Sequence, residues 1–201
     1  MNLEKAMRLP LVEGGIVKVI IGAILNIIPI VNFLCSGYFI EIMANAIREK
    51  HEMPAWENWG DKFIRGLLSF VISVVYMIIP ILLLVAGGIS GFFAVLAVLV
   101  GLAVWFVLPM ALARFAATGS TASAFEFNAV LSFIKAVFGA YIGVYLFSLV
   151  LFIGLTILAA IPVIGWILSM LGGFYTGCVL AFLFGEAYRK AAAGSSGTIG
   201  A

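Results

Sequence analysis

Charge is what this sequence lacks. Of its 201 residues only 11 are Lys or Arg and 9 are Asp or Glu, 10% in all, while 65% are apolar. A soluble domain carries about 25% charged residues, because its surface must be covered with groups that water solvates, and twenty charges are too few for that. Two cysteines and one histidine leave no disulfide framework and no His/Cys metal cluster. A net charge of +2 is too small to define a polyanion partner, so nucleic acid is excluded. The apolar excess excludes intrinsic disorder. What is present is the composition of a polytopic membrane protein.

The few charges gather in clusters. The cations are Lys5, Arg8 and Lys18, then Arg48 and Lys50, Lys62 and Arg65, Arg114, Lys135, and Arg189 with Lys190, and the acids lie in or beside the same clusters. Between them run uncharged stretches at 19–40, 66–113 and 136–185. A charge at the bilayer centre costs at least about 2.5 kcal/mol, so these stretches are the membrane portion. Each has turn residues near its middle: Ile28-Pro29-Ile30, Gly87-Gly88-Ile89-Ser90-Gly91, and Ile161-Pro162-Val163. The second and third stretches split into limbs of about 20 residues or more, enough for a ~30 Å hydrocarbon core, and read as helical hairpins.

The first stretch is shorter, with limbs of roughly 12 and 16 residues, and a 12-residue limb reaches only about 18 Å. It reads either as a short hairpin, spanning or re-entrant, or as one long tilted helix; a signal peptide is the further alternative, against which no small-residue cleavage site follows. The hairpin reading is preferred because it places every Lys and Arg on one side, the cytoplasmic one by the positive-inside rule. Its turn also repeats the third: Ile21-Gly22 then Ile28-Pro29-Ile30-Val31, against Ile153-Gly154 then Ile161-Pro162-Val163-Ile164. The expected architecture is therefore an all-α polytopic membrane protein of six helical limbs in three hairpins. It has both termini cytoplasmic, a single domain over 1–190 and an irregular small-residue tail over 191–201, in the cell (inner) membrane.

Two segments read as amphipathic helices lying at the interface. In Pro54–Phe63 the rings of Trp56, Trp59 and Phe63 recur at helical spacing; in the second, Val130, Phe133, Ile134 and Val137 oppose Asn128, Ser132 and Lys135. Trp166, with Phe33, Phe92 and Phe93, forms an aromatic belt beside the far turns. The series Ile28-Pro29-Ile30, Gly37-Tyr38, Pro54-x-Trp56, Trp59-Gly60, Phe63, Gly66-Leu67 and Ala124-Phe125-Glu126-Phe127 resembles an uncharacterised family of short prokaryotic integral membrane proteins, a domain of unknown function, over roughly residues 8–190. The resemblance implies fold and membrane location, and brings no catalytic or binding residues with it.

Glu41 is the acid set deepest in the apolar portion, and intramembrane acids are functional candidates. Antiparallel limbs about Pro29 and Ile30 place it level with Lys18, which predicts a Lys18–Glu41 ion pair. Asn45 and Arg48, at i+4 and i+7, extend a polar stripe from Glu41. Asn26 and Asn32 flank the first turn and are expected to bond the backbone that Pro29 frees. Glu186 with Arg189 and Lys190 reads as a solvated ion pair at a helix end. Gly139 with Gly143, and Gly173 with Gly177, have the small-xxx-small spacing of close helix packing. Pro80 and Pro109 are expected to kink their helices. Cys35 and Cys178 read as packing residues and His51 as a loop residue. There is no phosphate loop, HExxH or nucleophile elbow. The expectation is a protein that is not an enzyme and uses no cofactor or metal, with the bilayer and other membrane subunits or further copies of itself as partners. It would be a structural or assembly subunit; the alternative is a small transporter or channel for a lipid-like or small solute that uses the short first hairpin.

Overall fold

The computed structural model describes residues 2–196, and among these the regular structure is entirely helical. A short helix α1 (Leu3–Arg8) runs through a 3-10 turn (Leu9–Leu11) into α2 (Gly15–Ile27) with a bend of 81°. There follow α3 (Asn32–Ile47), α4 (Trp59–Gly87), α5 (Gly91–Thr118), the four-residue α6 (Thr121–Ala124), α7 (Phe127–Ala136), α8 (Phe138–Ala159) and α9 (Ile164–Ser196). Four helices, α4, α5, α8 and α9, are long and apolar enough to cross a membrane, or five if the bent α1–α2 pair counts as one span. The three hairpins are thus α2–α3, α4–α5 and α8–α9. The first is short, with limbs of 13 and 16 residues.

The two proline turns have one geometry. Ile30 and Val163 both follow a proline and both adopt the left-handed region, at φ 69° and 61°. In each turn the N–H three residues after the proline donates to the carbonyl of the residue before it: Asn32 to Ile28 and Gly165 to Ile161, both 3.0 Å. Proline fixes its own φ and offers no N–H, so the helix stops there. A β-branched residue in the left-handed region costs roughly 1–2 kcal/mol, and the chain accepts that cost in both repeats. The repeat seen in the sequence is therefore a repeat of backbone conformation.

Glycine decides which helices touch. A methyl group on Gly37 would overlap the backbone carbonyl of Lys62, and one on Gly66 would overlap that of Phe33, so α3 and α4 cross backbone to backbone. Gly22 accommodates the ring of Phe174 and Gly177 that of Phe39, while Gly185 lies against the backbone of Met43. These contacts hold α3 between α4 and α9 and seat α2 on α9. Of the glycines marked by spacing, only Gly177 packs in this way. Gly139, Gly143 and Gly173 face open space, so the packing expectation for those three is corrected: the spacing was met on outward faces of α8 and α9.

Pro109 shows how a membrane helix absorbs a lost donor. It leaves the carbonyl of Trp105 without its helical partner, and the Tyr145 hydroxyl from α8 donates to that oxygen at 2.9 Å and to Phe106 O at 3.1 Å. Tyr141 adds a hydrogen bond to Phe106 O at 2.8 Å.

Two further expectations are corrected, and one is met. Residues 54–58 are not helical; α4 starts at Trp59 and runs unbroken to Gly87, because Pro54 and Trp56 are held in a loop by the contacts described below. The second amphipathic segment does form a helix, α7, with Val130 and Ile134 buried and Asn128, Ser132 and Lys135 exposed. The tail is helical as far as Ser196, an extension of α9 in which Ala191 is buried; the rest of the expected irregular tail lies outside the described residues.

Candidate functional site

The polar groups converge at the end of the bundle where the loops 48–58 and 119–126 and the N-terminal helix meet. Glu41 sits one turn beyond Gly37 on the face of α3 that crosses α4, and Lys62 lies in the first turn of α4 at that crossing. Their side chains pair at 2.8 Å, and Lys62 Nζ also donates to Glu57 O at 2.8 Å. Lys62 is only 3% exposed, whereas the Glu41 side chain keeps 36% of its surface. The expected Lys18–Glu41 pair is therefore replaced by Lys62–Glu41. Depth counting along the first hairpin ignored α4, which the Gly37–Gly66 crossing brings closer to Glu41 than α2 comes. Lys18 instead donates to Met53 O at 2.8 Å.

The same loop is held from three sides. Tyr38 donates its hydroxyl to Pro54 O at 2.9 Å and stacks on Trp56 with ring centroids 4.3 Å apart. Trp56 Nε1 donates to Lys18 O at 3.0 Å. Trp56 is thus a structural residue rather than an anchor, and Phe63 is half-buried, edge-on to Phe33 at 5.9 Å. Trp59 and Trp166 remain exposed.

A second clamp repeats the device. Tyr76 donates to Ala124 O at 2.6 Å and stacks on Phe125 at 5.7 Å, so that here too a tyrosine from a neighbouring helix bonds a loop carbonyl and stacks on an aromatic ring close after it. Here the buried cation is Arg114. Its Nε donates to Ser123 O at 2.9 Å, its Nη2 to Glu126 Oε2 at 2.5 Å, and its guanidinium lies 5.2 Å from the centroid of the Phe133 ring in α7. A planar, multi-donor cation suits a site that asks for two acceptors and an aromatic face at once.

The third charged group joins the chain ends. Arg189 pairs with Glu49 and lies 4.0 Å from Glu186. Glu186 is buried and also accepts from the Asn2 N–H at 3.3 Å. The solvated pair expected at this helix end is corrected: α1 folds over it. Asn45 is half-buried and Arg48 exposed as the C-cap of α3, so the stripe from Glu41 is not gathered into one site. Asn26 and Asn32 are exposed, and the backbone around Pro29 is satisfied by its own N–H···O bonds rather than by their side chains. Cys35 and Cys178 are buried free thiols, Cys35 bonding Gly22 O at 3.3 Å. His51 is exposed, edge-on to Phe182.

Sequence reasoning missed Lys62, Arg114, Tyr38 and Tyr76 as the residues that organise this end. The signal available was the recurrence of an Ala-aromatic-Glu triplet, Ala55-Trp56-Glu57 and Ala124-Phe125-Glu126.

These two clamps lie inside a region shared with other proteins. Residues 21–164 match the family described as "Protein of unknown function (DUF4013)". The chain belongs to this family. The family region runs from α2 to the start of α9, and so contains Glu41, Lys62, Arg114 and Glu126 but not the Glu186–Arg189 end. A relative, "Uncharacterized protein MJ1189" of Methanocaldococcus jannaschii, is 27% identical over 62 residues, which is 29% of this chain. The match spans 22% of that relative's length. No solved structure matches the chain.

Proposed function

We propose that this DUF4013 protein is a non-catalytic, multi-pass protein of the cell membrane that acts as a structural or assembly subunit, packing against other membrane proteins or further copies of itself. The observation that carries this reading is the far half of the α4–α5 hairpin. Between Met77 and Ala103 only Pro80 and Ala97 are buried; Ile79, Leu82, Val85, Val95 and Val98 are all exposed. This is a two-helix apolar arm supported by little besides its own mutual packing. The charged groups, by contrast, are engaged at the opposite end in clamps that fix loops. A rigid base with a long apolar arm suits docking in the bilayer plane, and the positive-inside rule puts the clamped end in the cytoplasm. The test is the mass of the protein extracted from its native membrane into polymer nanodiscs: a complex or a homo-oligomer is expected, and a monodisperse single chain would refute the reading.

One observation favours a second reading, transport of a lipid-like or small solute. Phe33, just after the turn of the first hairpin, packs at 5.3 Å on Phe70, and α4 runs on for about 25 Å beyond that point. The hairpin tip, with exposed Asn26 and Asn32 beside it, thus ends well before α4 does. Flux lost on Asn26→Leu with Asn32→Leu, in vesicles holding the intact protein, would support this reading; unchanged flux would count against it.

A further inference from the structure

Four helices, α3, α4, α5 and α9, enclose a cleft of about 410 Å³ that none of the clamps uses. Its floor is buried and formed by Ile40, Met43, Ala181 and Phe184. Its mouth is marked by Phe70 and Trp105, both about half exposed, on helices long and apolar enough to cross a membrane. The only side-chain polar atoms of the lining besides the Trp105 indole belong to Ser36, Ser69 and Ser73. Each of these hydroxyls already donates to a carbonyl of its own helix, to Asn32, Gly66 and Ser69 respectively. The lining therefore asks for no hydrogen-bonding ligand and holds no charge that would select an ionic one. Its volume falls in the range of small-molecule sites, about 300–1,000 Å³.

From this enclosure, lining chemistry and sideways opening we infer that the cleft binds one hydrocarbon chain of a membrane lipid. The chain enters between Phe70 and Trp105, lies along Leu108, Leu112 and Leu180, and ends on the Ile40–Met43–Phe184 floor. Dispersion contacts with the apolar lining supply the attraction, and the headgroup stays outside the mouth. Because α3 comes from the first hairpin, α4 and α5 from the second and α9 from the third, the chain would join all three hairpins.

The test uses the full chain reconstituted in phosphatidylcholine vesicles doped with a phospholipid carrying a diazirine at the end of one acyl chain. After irradiation, adducts are mapped by mass spectrometry. Expected are adducts at Met43, Leu112 and Leu180 in several-fold excess over Leu149 and Ile153, which are exposed on α8. Ser73→Leu and Ser36→Leu, made separately so that one well-folded variant suffices, should fill the cleft and lower those adducts several-fold while labelling of α8 is unchanged. Equal labelling of cleft and α8, or cleft labelling unmoved in the folded variant, would overturn the proposal. Labelling by a free photoreactive fatty acid but not by the phospholipid would overturn the assignment to a bilayer lipid.

Discussion

Gly37 of α3 lies against the backbone carbonyl of Lys62 in α4, leaving no room for a side chain. This contact sets the depth at which Glu41 meets Lys62, and through Lys62 it places the loop that carries Trp56. Replacing Gly37 or Gly66 by Ala forces the two backbones apart, and overpacking of that kind costs about 1–3 kcal/mol or more. Gly139→Ala and Gly143→Ala, which meet open space, should be neutral or stabilising by up to about 1 kcal/mol from helix propensity. Thermal unfolding of the four variants in mild detergent checks the contrast.

The Glu41–Lys62 pair is asymmetric, because the cation is buried and the acid is not. Glu41→Leu should therefore cost more than Lys62→Met: a buried charge left alone costs about 3–5 kcal/mol, whereas the partly exposed acid left alone costs less. A double-mutant cycle should give a coupling energy between Glu41 and Lys62, and almost none between Glu41 and Lys18.

Tyr145 substitutes for the N–H that Pro109 lacks. Tyr145→Phe should destabilise by about 1–2 kcal/mol, the cost of an acceptor left unpaired. In a Pro109→Ala background, where the helix supplies its own donor to Trp105, the same change should cost less. Unfolding of the single and double variants measures the difference.

Arg114→Lys keeps the charge but cannot reproduce two divergent donors and a flat face on Phe133. Hydrogen exchange should rise at 119–126 and at the start of α7, with the 48–58 loop unaffected.

The sequence made the hairpins legible because charge and turn chemistry act locally: a proline in Ile28-Pro29-Ile30 stops a helix wherever the bundle puts it, and its twin at Pro162 does the same. The length of α4 was half-legible, since aromatic spacing at Trp56, Trp59 and Phe63 imitates a helix when Trp56 is in truth drawn aside by Tyr38. Partner choice was not legible. Glu41 could be assigned a depth by counting from Pro29, but which cation shares that depth depends on Gly37 and Gly66, sites where the side chain is missing. Gly139 and Gly143 carry the same spacing signal with nothing opposite them, so spacing alone does not tell an inward face from an outward one.

The central claim, that the α4–α5 arm is an assembly surface, is tested most directly by photocrosslinking in the native membrane. A photoreactive amino acid is placed at Leu82 or Val98, with Leu149 on α8 as reference. The account predicts one discrete protein adduct from the arm positions, either a second copy of the chain or one defined partner, at higher yield than from Leu149. Lipid adducts alone at Leu82 and Val98, at the same level as at Leu149, would contradict it.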